Sequence, residues 1–182
     1  MCSSDLATKT IDRTTLLGDR IKIRLTDLDA VYNEFYINYD RRWLTGVYRG
    51  TRHLTASATN MSSDTRSGTP NTYTGLCSDS QSKYNHTKRL TLDCDWISSV
   101  TTIDRFLKWL AEWHCYRKRI FPFKSTGHEH INLEMGDQVK IDHTLLPAGV
   151  SDDASFVVFD IKDNLDDDKV NFECMQIPDL LP

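Results

Sequence analysis

Lys88-Arg89-Leu90-Thr91-Leu92-Asp93-Cys94-Asp95-Trp96, followed after four residues by Thr101-Thr102-Ile103-Asp104-Arg105-Phe106-Leu107-Lys108-Trp109-Leu110-Ala111-Glu112-Trp113-His114, switches its apolar period from that of a strand to that of a helix. In the first run Leu90, Leu92, Cys94 and Trp96 take one side and the polar residues the other, which is a half-buried strand. In the second, Ile103, Phe106, Leu107, Leu110, Ala111 and His114 recur at helical spacing. Thr101-Thr102-Ile103-Asp104 supplies a hydroxyl cap with an acid three residues on. Asp104 precedes Lys108, and Lys108 precedes Glu112, at the i, i+4 spacing of surface ion pairs. Arg117, Lys118 and Arg119 complement the negative end of the helix dipole, and Pro122 stops any continuation. The pattern predicts one main amphipathic helix at about 102–118.

Working outward, Arg20-Ile21-Lys22-Ile23-Arg24-Leu25 alternates basic and apolar residues as a first strand. Phe35-Tyr36-Ile37-Asn38-Tyr39 reads as a second, turning at Asp40-Arg41, and Trp43 to Leu54 as another, interrupted at Gly46 and Gly50. After the helix, Ile120-Phe121-Pro122-Phe123-Lys124 is predicted as an edge strand because of its proline. Ile131-Asn132-Leu133 leads to a turn at Gly136-Asp137, and Val139-Lys140-Ile141 alternates again. Phe156–Ile161 and Val170–Met175 flank Asn164-Leu165-Asp166-Asp167-Asp168 as a C-terminal β-hairpin with an acidic loop. The fold class is α+β, mostly antiparallel β. Between Thr55 and Tyr84, 17 of 30 residues are Ser, Thr, Asn or Gly and apolar periodicity is lost, so this stretch is expected as a long loop, or an arm ordered by a partner. The expected organisation is N-terminal strands at 1–54, a hydroxyl-rich loop at 55–84, and a strand-helix-strand-hairpin core at 85–182.

A chain of 182 residues suits one domain, and its 39% apolar share is enough for a core, expected around Trp96, Trp109, Trp113 and the Phe and Tyr residues. The net charge of −4 argues against a nucleic-acid surface. The acid is concentrated at the end: residues 151–182 hold nine acids against Lys162 and Lys169. Cys2, Cys77, Cys94, Cys115 and Cys174 are odd in number and form no CxxC pair, which predicts reduced thiols and a cytosolic folding compartment. No run of eighteen apolar residues exists to span a membrane, and Met1-Cys2-Ser3-Ser4-Asp5-Leu6 lacks the basic and apolar regions of a secretory signal.

His128-Glu129-His130 is the most metal-like patch: in a strand both imidazoles share a face, with Asp137, Asp142 or His143 as further ligands. An exposed turn after Gly127 explains it without a metal, and no cofactor is expected. Asp163, Asp166, Asp167 and Asp168 lack the order of an EF-hand and read as a solvated loop. Cys115 beside His114, and Cys94, sit on apolar faces, where inert buried thiols are the default over nucleophiles. No G-x-S-x-G, P-loop or G-x-G-x-x-G motif is present, so no enzyme is expected. Arg41, Arg42, Arg49 and Arg52 interleave with Trp43 and Tyr48, a combination that suits stacking on sugar or single-stranded nucleic acid, or a solvated strand face.

The order strand, helix, strand, turn, hairpin across 88–176, with Leu133-Glu134-Met135-Gly136-Asp137-Gln138-Val139-Lys140-Ile141 at its centre, resembles the tail hub and tail-tip proteins of long-tailed phages. Ala111-Glu112-Trp113-His114-Cys115-Tyr116-Arg117 is similar to the A-x-W-x-x-x-R wording of that family's helix, and Glu34–Asp40 to its strand entering the same domain. The resemblance implies a structural part of a tail tip or baseplate, in the virion tail after assembly in the host cytoplasm. It implies a homo-oligomeric ring, a trimer or a hexamer, contacting other tail proteins; no membrane or nucleic-acid partner is expected from the missing apolar span and the acidic net charge. It carries over no catalytic residue. Trp43, Tyr48, Tyr73, Asp166, Asp167 and Asp168 are the expected contact residues, on the loop 55–84, the strand before it and the acidic hairpin 162–169. A carbohydrate- or protein-binding module is the alternative, and a metal-dependent hydrolase a third reading.

Overall fold

The computed structural model describes residues 9–11, 23–66, 72–126, 133–141, 155–164 and 169–177. They form nine strands and two α-helices, mostly antiparallel with two parallel pairs. The chain divides into two compact units: residues 27–117 with 180–182, and residues 1–26 with 118–179. The grouping expected at 85–182 is therefore corrected. The strand and helix at 89–114 share a core with residues 31–77, and the C-terminal strands have a core of their own.

The unit at 1–26 and 118–179 is a six-stranded sheet. In chain order its strands are β1 (Lys9–Ile11), β2 (Arg24–Leu25), β6 (Arg119–Thr126), β7 (Gln138–Ile141), β8 (Ser155–Asn164) and β9 (Lys169–Gln176), arranged β1-β7-β8-β9-β6-β2. Phe121, Val139, Phe156, Val158, Phe172 and Cys174, all buried, build its core from alternate positions of four strands. The expected edge position of the proline strand is corrected: β6 lies between β9 and β2. Pro122 is still tolerated, because β2 pairs only with Arg119 and Ile120. The Gly136-Asp137 turn forms as expected, with Gly136 at φ +99°, and Val139 and Ile141 point into the core. β8 and β9 pair antiparallel from Phe156↔Gln176 to Asn164↔Lys169. His128, His130, Asp142, His143, Asp166, Asp167 and Asp168 lie outside the described residues.

The unit at 27–117 is a three-stranded sheet, β4 (Tyr48–Leu54), β3 (Glu34–Arg41) and β5 (Arg89–Cys94) in that order, with α1 (Tyr73–Tyr84) and α2 (Val100–His114). β3 pairs antiparallel with β4 and parallel with β5. Phe35, Ile37 and Leu54 from the sheet meet Ile103, Leu107, Leu110 and Ala111 from α2 in one core. α2 is shorter than predicted. Ser99 caps it, its side chain accepting from the Thr102 N–H at 3.4 Å, and Arg119 already belongs to β6. Lys118 is buried rather than lining a basic last turn. Asp104 and Glu112 do not serve the helix surface. Asp104 faces Arg52 at 3.5 Å and accepts from the Ser62 N–H at 3.0 Å, while Glu112 faces Arg66 at 3.4 Å and accepts from the Tyr73 hydroxyl at 2.9 Å.

Those two carboxylates explain why the described part of the hydroxyl-rich stretch is not a free loop: they fasten Arg52, Ser62, Arg66 and Tyr73 to α2. Asp64 then starts α1, accepting from the Tyr73 N–H, the Thr74 N–H and the Thr74 hydroxyl at 3.1, 3.3 and 2.8 Å, and Thr72 caps the helix by accepting from the Gly75 N–H. Tyr73, Leu76, Cys77 and Ser80 face the core at i, i+3, i+4 and i+7. Ser80 is satisfied there by donating to the Cys115 carbonyl at 2.5 Å. The aromatic core expected from sequence is corrected in its tryptophans, while most of its Phe residues and Tyr73 are buried as expected. Trp96 lies beyond the end of β5 and is 85% exposed and Trp109 is 41% exposed; four phenylalanines fill the core of the six-stranded unit, and Phe35 with aliphatic side chains and Tyr73 fills the other.

Candidate interaction surface

The exposed feature of the unit at 27–117 forms where the β3–β4 turn meets the chain leaving β5. The turn is tight: the Arg42 carbonyl accepts from the Thr45 and Gly46 N–H groups at 3.2 and 2.7 Å, and the Arg42 N–H donates to Val47 at 2.9 Å. Gly46 at φ +69° permits this path. On the β5 side, the Asp40 N–H donates to the Ile97 carbonyl at 3.0 Å and holds the two loops together. Asp95 joins them through its side chain. It accepts from Arg41 Nη1 at 3.0 Å and from the Tyr48 hydroxyl at 2.6 Å.

These bonds leave an electrostatic mark. The Tyr48 hydrogen bond first, then the Arg41 guanidinium, holds the Asp95 carboxyl below its usual range. The same hydrogen bond pushes the Tyr48 hydroxyl up to about 12. Asp95 is thus a saturated carboxylate and Tyr48 a protonated phenol at neutral pH; they brace the loops and offer neither a free base nor a nucleophile.

What the brace presents is apolar. Trp43 and Trp96, one from each loop, meet with ring centroids 4.7 Å apart and planes inclined by 47°. They are 62% and 85% exposed, with Leu44 at 101% and Val47 at 61% beside them. The groove they edge, of about 770 Å³, also carries Asp40, Arg49 and Ser98 on its walls. Exposed large apolar side chains gathered at one place mark a contact surface more than singly scattered ones do. A tilted aromatic pair adds stacking area that a flat or planar partner can use.

Of the contact residues expected from sequence, Trp43 and Tyr48 come together here. Tyr73 does not: it is 6% exposed and sits in the core, its hydroxyl raised to about 12 by burial first and then by its bond to Glu112. Trp96, Leu44 and Val47 are additions that the structure makes to the expected set. The parallel pairing of β3 with β5 brings Trp96 to Trp43 across more than fifty residues of sequence, and no local pattern announces that pairing. The basic residues around the patch do not form a clustered cationic face: Arg41 pairs with Asp95, Arg49 with Asp40 at 3.4 Å, and Arg52 with Asp104. The four described thiols are buried or half-buried rather than presented at the surface. Cys115 and Cys77 are fully buried, with sulfurs 3.9 Å apart, and burial raises the Cys94 thiol and pushes Cys174 up to about 12. Among the described residues no group of three or more His, Cys, Asp or Glu side chains could hold a metal, and no helix is long and apolar enough to cross a membrane.

No protein-family model and no curated protein matches the sequence. Among solved structures, a chain from the virion of a native gene transfer agent (GTA) particle superposes over 96% of this chain at a TM-score of 0.52 and 9% identity. The fold is that of a virion chain. Two further structures are similar, the prophage tail protein gp18 from Listeria monocytogenes EGD-e (TM-score 0.41, 11% identity, 90% of this chain) and the 43 kDa tail protein of prophage MuSo2 from Shewanella oneidensis (TM-score 0.44, 10% identity, 97% of this chain). This chain spans 33%, 42% and 46% of the lengths of these three. The sequence resemblance is to proteins of phage tails, and these similar structures are a virion chain and two prophage tail proteins.

Proposed function

We propose that this protein is a non-catalytic structural component of a phage-type tail, and that it works by protein–protein contact. The fold shared with the virion chain over 96% of this chain's length carries the reading. The finer assignment is a tail-tip or baseplate subunit that assembles with copies of itself into a ring and meets other tail proteins. The surface at Trp43, Leu44, Val47 and Trp96 supports a contact role, because burying exposed indoles is among the largest single contributions a protein interface makes. The acidic residues Asp166, Asp167 and Asp168 are a second proposed contact.

The experiment is complementation of a tail-assembly system lacking this protein. Trp43→Ala with Trp96→Ala should lower incorporation into tails roughly tenfold or more, while the melting temperature of the purified variant stays near wild type because neither indole belongs to the core. Full incorporation of a folded double variant would remove the surface from the reading. Failure of the wild-type protein to enter tails at all would remove the reading itself.

A further inference from the structure

The edge of the three-stranded sheet points to a second contact. Among the described residues β5 is the outer strand, and nothing pairs with its far side. The Glu34 N–H donates to the Lys88 carbonyl at 3.1 Å. Even-numbered residues of β5 therefore turn their backbone groups toward β3, and Arg89, Thr91 and Asp93 turn theirs outward. The side chains of these three are exposed, while those of Leu90, Leu92 and Cys94 are only half-buried, packed on the rim of the core. Folded proteins commonly blunt such an edge with proline, a bulge or lysine. β5 has no proline, bulge or lysine, its two charges, Arg89 and Asp93, are of opposite sign and so can pair across a joint rather than repel, and its register with β3 runs unbroken from Glu34↔Arg89 to Tyr39↔Cys94.

The residues on this edge are complementary to themselves. When two copies of β5 lie antiparallel, the outward backbone groups allow only registers that pair odd with odd and even with even. Among these, the register centred on Thr91 sets Arg89 opposite Asp93 twice and Leu90 opposite Leu92 twice. Shifting one step toward Lys88 sets Arg89 against Thr91 and Asp93 against Thr87; shifting one step the other way sets Arg89 against Asp95, which lies beyond the strand and is already held by Arg41 and Tyr48, and Asp93 against Thr91; shifting further sets Arg89 or Asp93 against itself. Each copy already holds these charges in place: Arg89 Nε lies 3.1 Å from Glu34 Oε2 with its guanidinium over the Tyr36 ring, and Asp93 accepts from Asn38 Nδ2 at 2.8 Å. Pairing would complete a row of alternating charge across the joint and cover the half-buried leucines.

We propose that β5 is a self-pairing edge, through which two copies of this chain join about a two-fold axis at Thr91 and make one six-stranded sheet from two three-stranded ones. The contact is isologous, unlike a ring contact, and it stands whether or not the chain belongs to a tail.

The test is sedimentation velocity of the full chain over a concentration series, with Arg89→Asp and Asp93→Arg made separately. Wild type should dimerise. Each variant sets like charges opposite each other at both ends of the joint and should self-associate on the order of tenfold more weakly. An equimolar mixture of the two should recover the dimer, because the introduced acid of one copy then faces the introduced base of the other, and the native Asp93 and Arg89 face each other at the far end. Circular dichroism checks that each variant is folded. If either is not, Thr91→Cys should be joined to itself by a short bismaleimide, while Thr51→Cys, on the opposite edge strand, should not. A monomeric wild type, a dimer indifferent to both substitutions, a mixture of folded variants that stays monomeric, or equal cross-linking at 51 and 91 would overturn the proposal.

Discussion

Asp95 bears on the exposed surface out of proportion to its size, because one carboxylate ties both loops that carry the tryptophans. Its titration and that of Tyr48 bound the pH range of the joint. Asp95 has a lowered folded value, so its contribution is present above the ordinary 3.8 and is lost as pH falls through the folded value. Tyr48 has a raised one, so its contribution is present below the ordinary 10.0 and is lost as pH rises through about 12. Asp95→Asn should therefore abolish the acid-side change in tryptophan emission and shift one late-titrating tyrosine back toward 10.0 in an alkaline absorbance titration. Identical titrations of variant and wild type would show that the joint does not hold the loops.

At the scale of elements, two glycines are constrained for different reasons. Gly50 sits opposite Tyr39 in the β3–β4 pair, and a Cβ there would clash with the hydroxyl end of the tyrosine ring. Gly136 has open space around its Cα but a φ of +99°. Gly50→Ala should cost about 2 kcal/mol by forcing the ring aside, and Gly136→Ala about 1 kcal/mol by backbone strain alone. Thermal denaturation of both variants checks the order, and a larger loss at 136 would mean that the ring moves freely. What can be read from sequence divides along similar lines. β5, α2 and the Gly136 turn announce themselves, because their apolar residues follow one period and their turn chemistry is local. α1 is hidden because Cys77 and Ser80 occupy inward positions where a pattern search looks for leucine. Its start depends on Asp64, eight residues before Thr72, and its ordering on carboxylates of another helix. The surface is half legible: Trp43 and Tyr48 are local to the turn, whereas the alternation that would turn Trp96 inward stops at Cys94.

Across the whole molecule, the unit at 27–117, residues 180–182 apart, is one stretch with its own core, set in sequence between two pieces of the other unit. The places where the chain enters and leaves this stretch are tied. The Thr26 N–H donates to the Lys118 carbonyl at 2.9 Å and the Lys118 N–H to the Thr26 hydroxyl at 2.9 Å, while further in the Tyr32 N–H donates to His114 at 3.1 Å. A fragment of residues 27–117 should therefore fold alone, with a cooperative melt and helical circular dichroism. A fragment that stays unfolded would mean that this core needs the six-stranded sheet.

The same arrangement sets a timetable for the ribosome. β1 pairs with β7, and Lys9 must wait for Val139 to be made. At ordinary elongation rates that is a delay on the order of ten seconds, during which the interposed residues 27–117 can finish folding. β1 emerges long before β7, the strand it pairs with, and chaperones have their longest opportunity there.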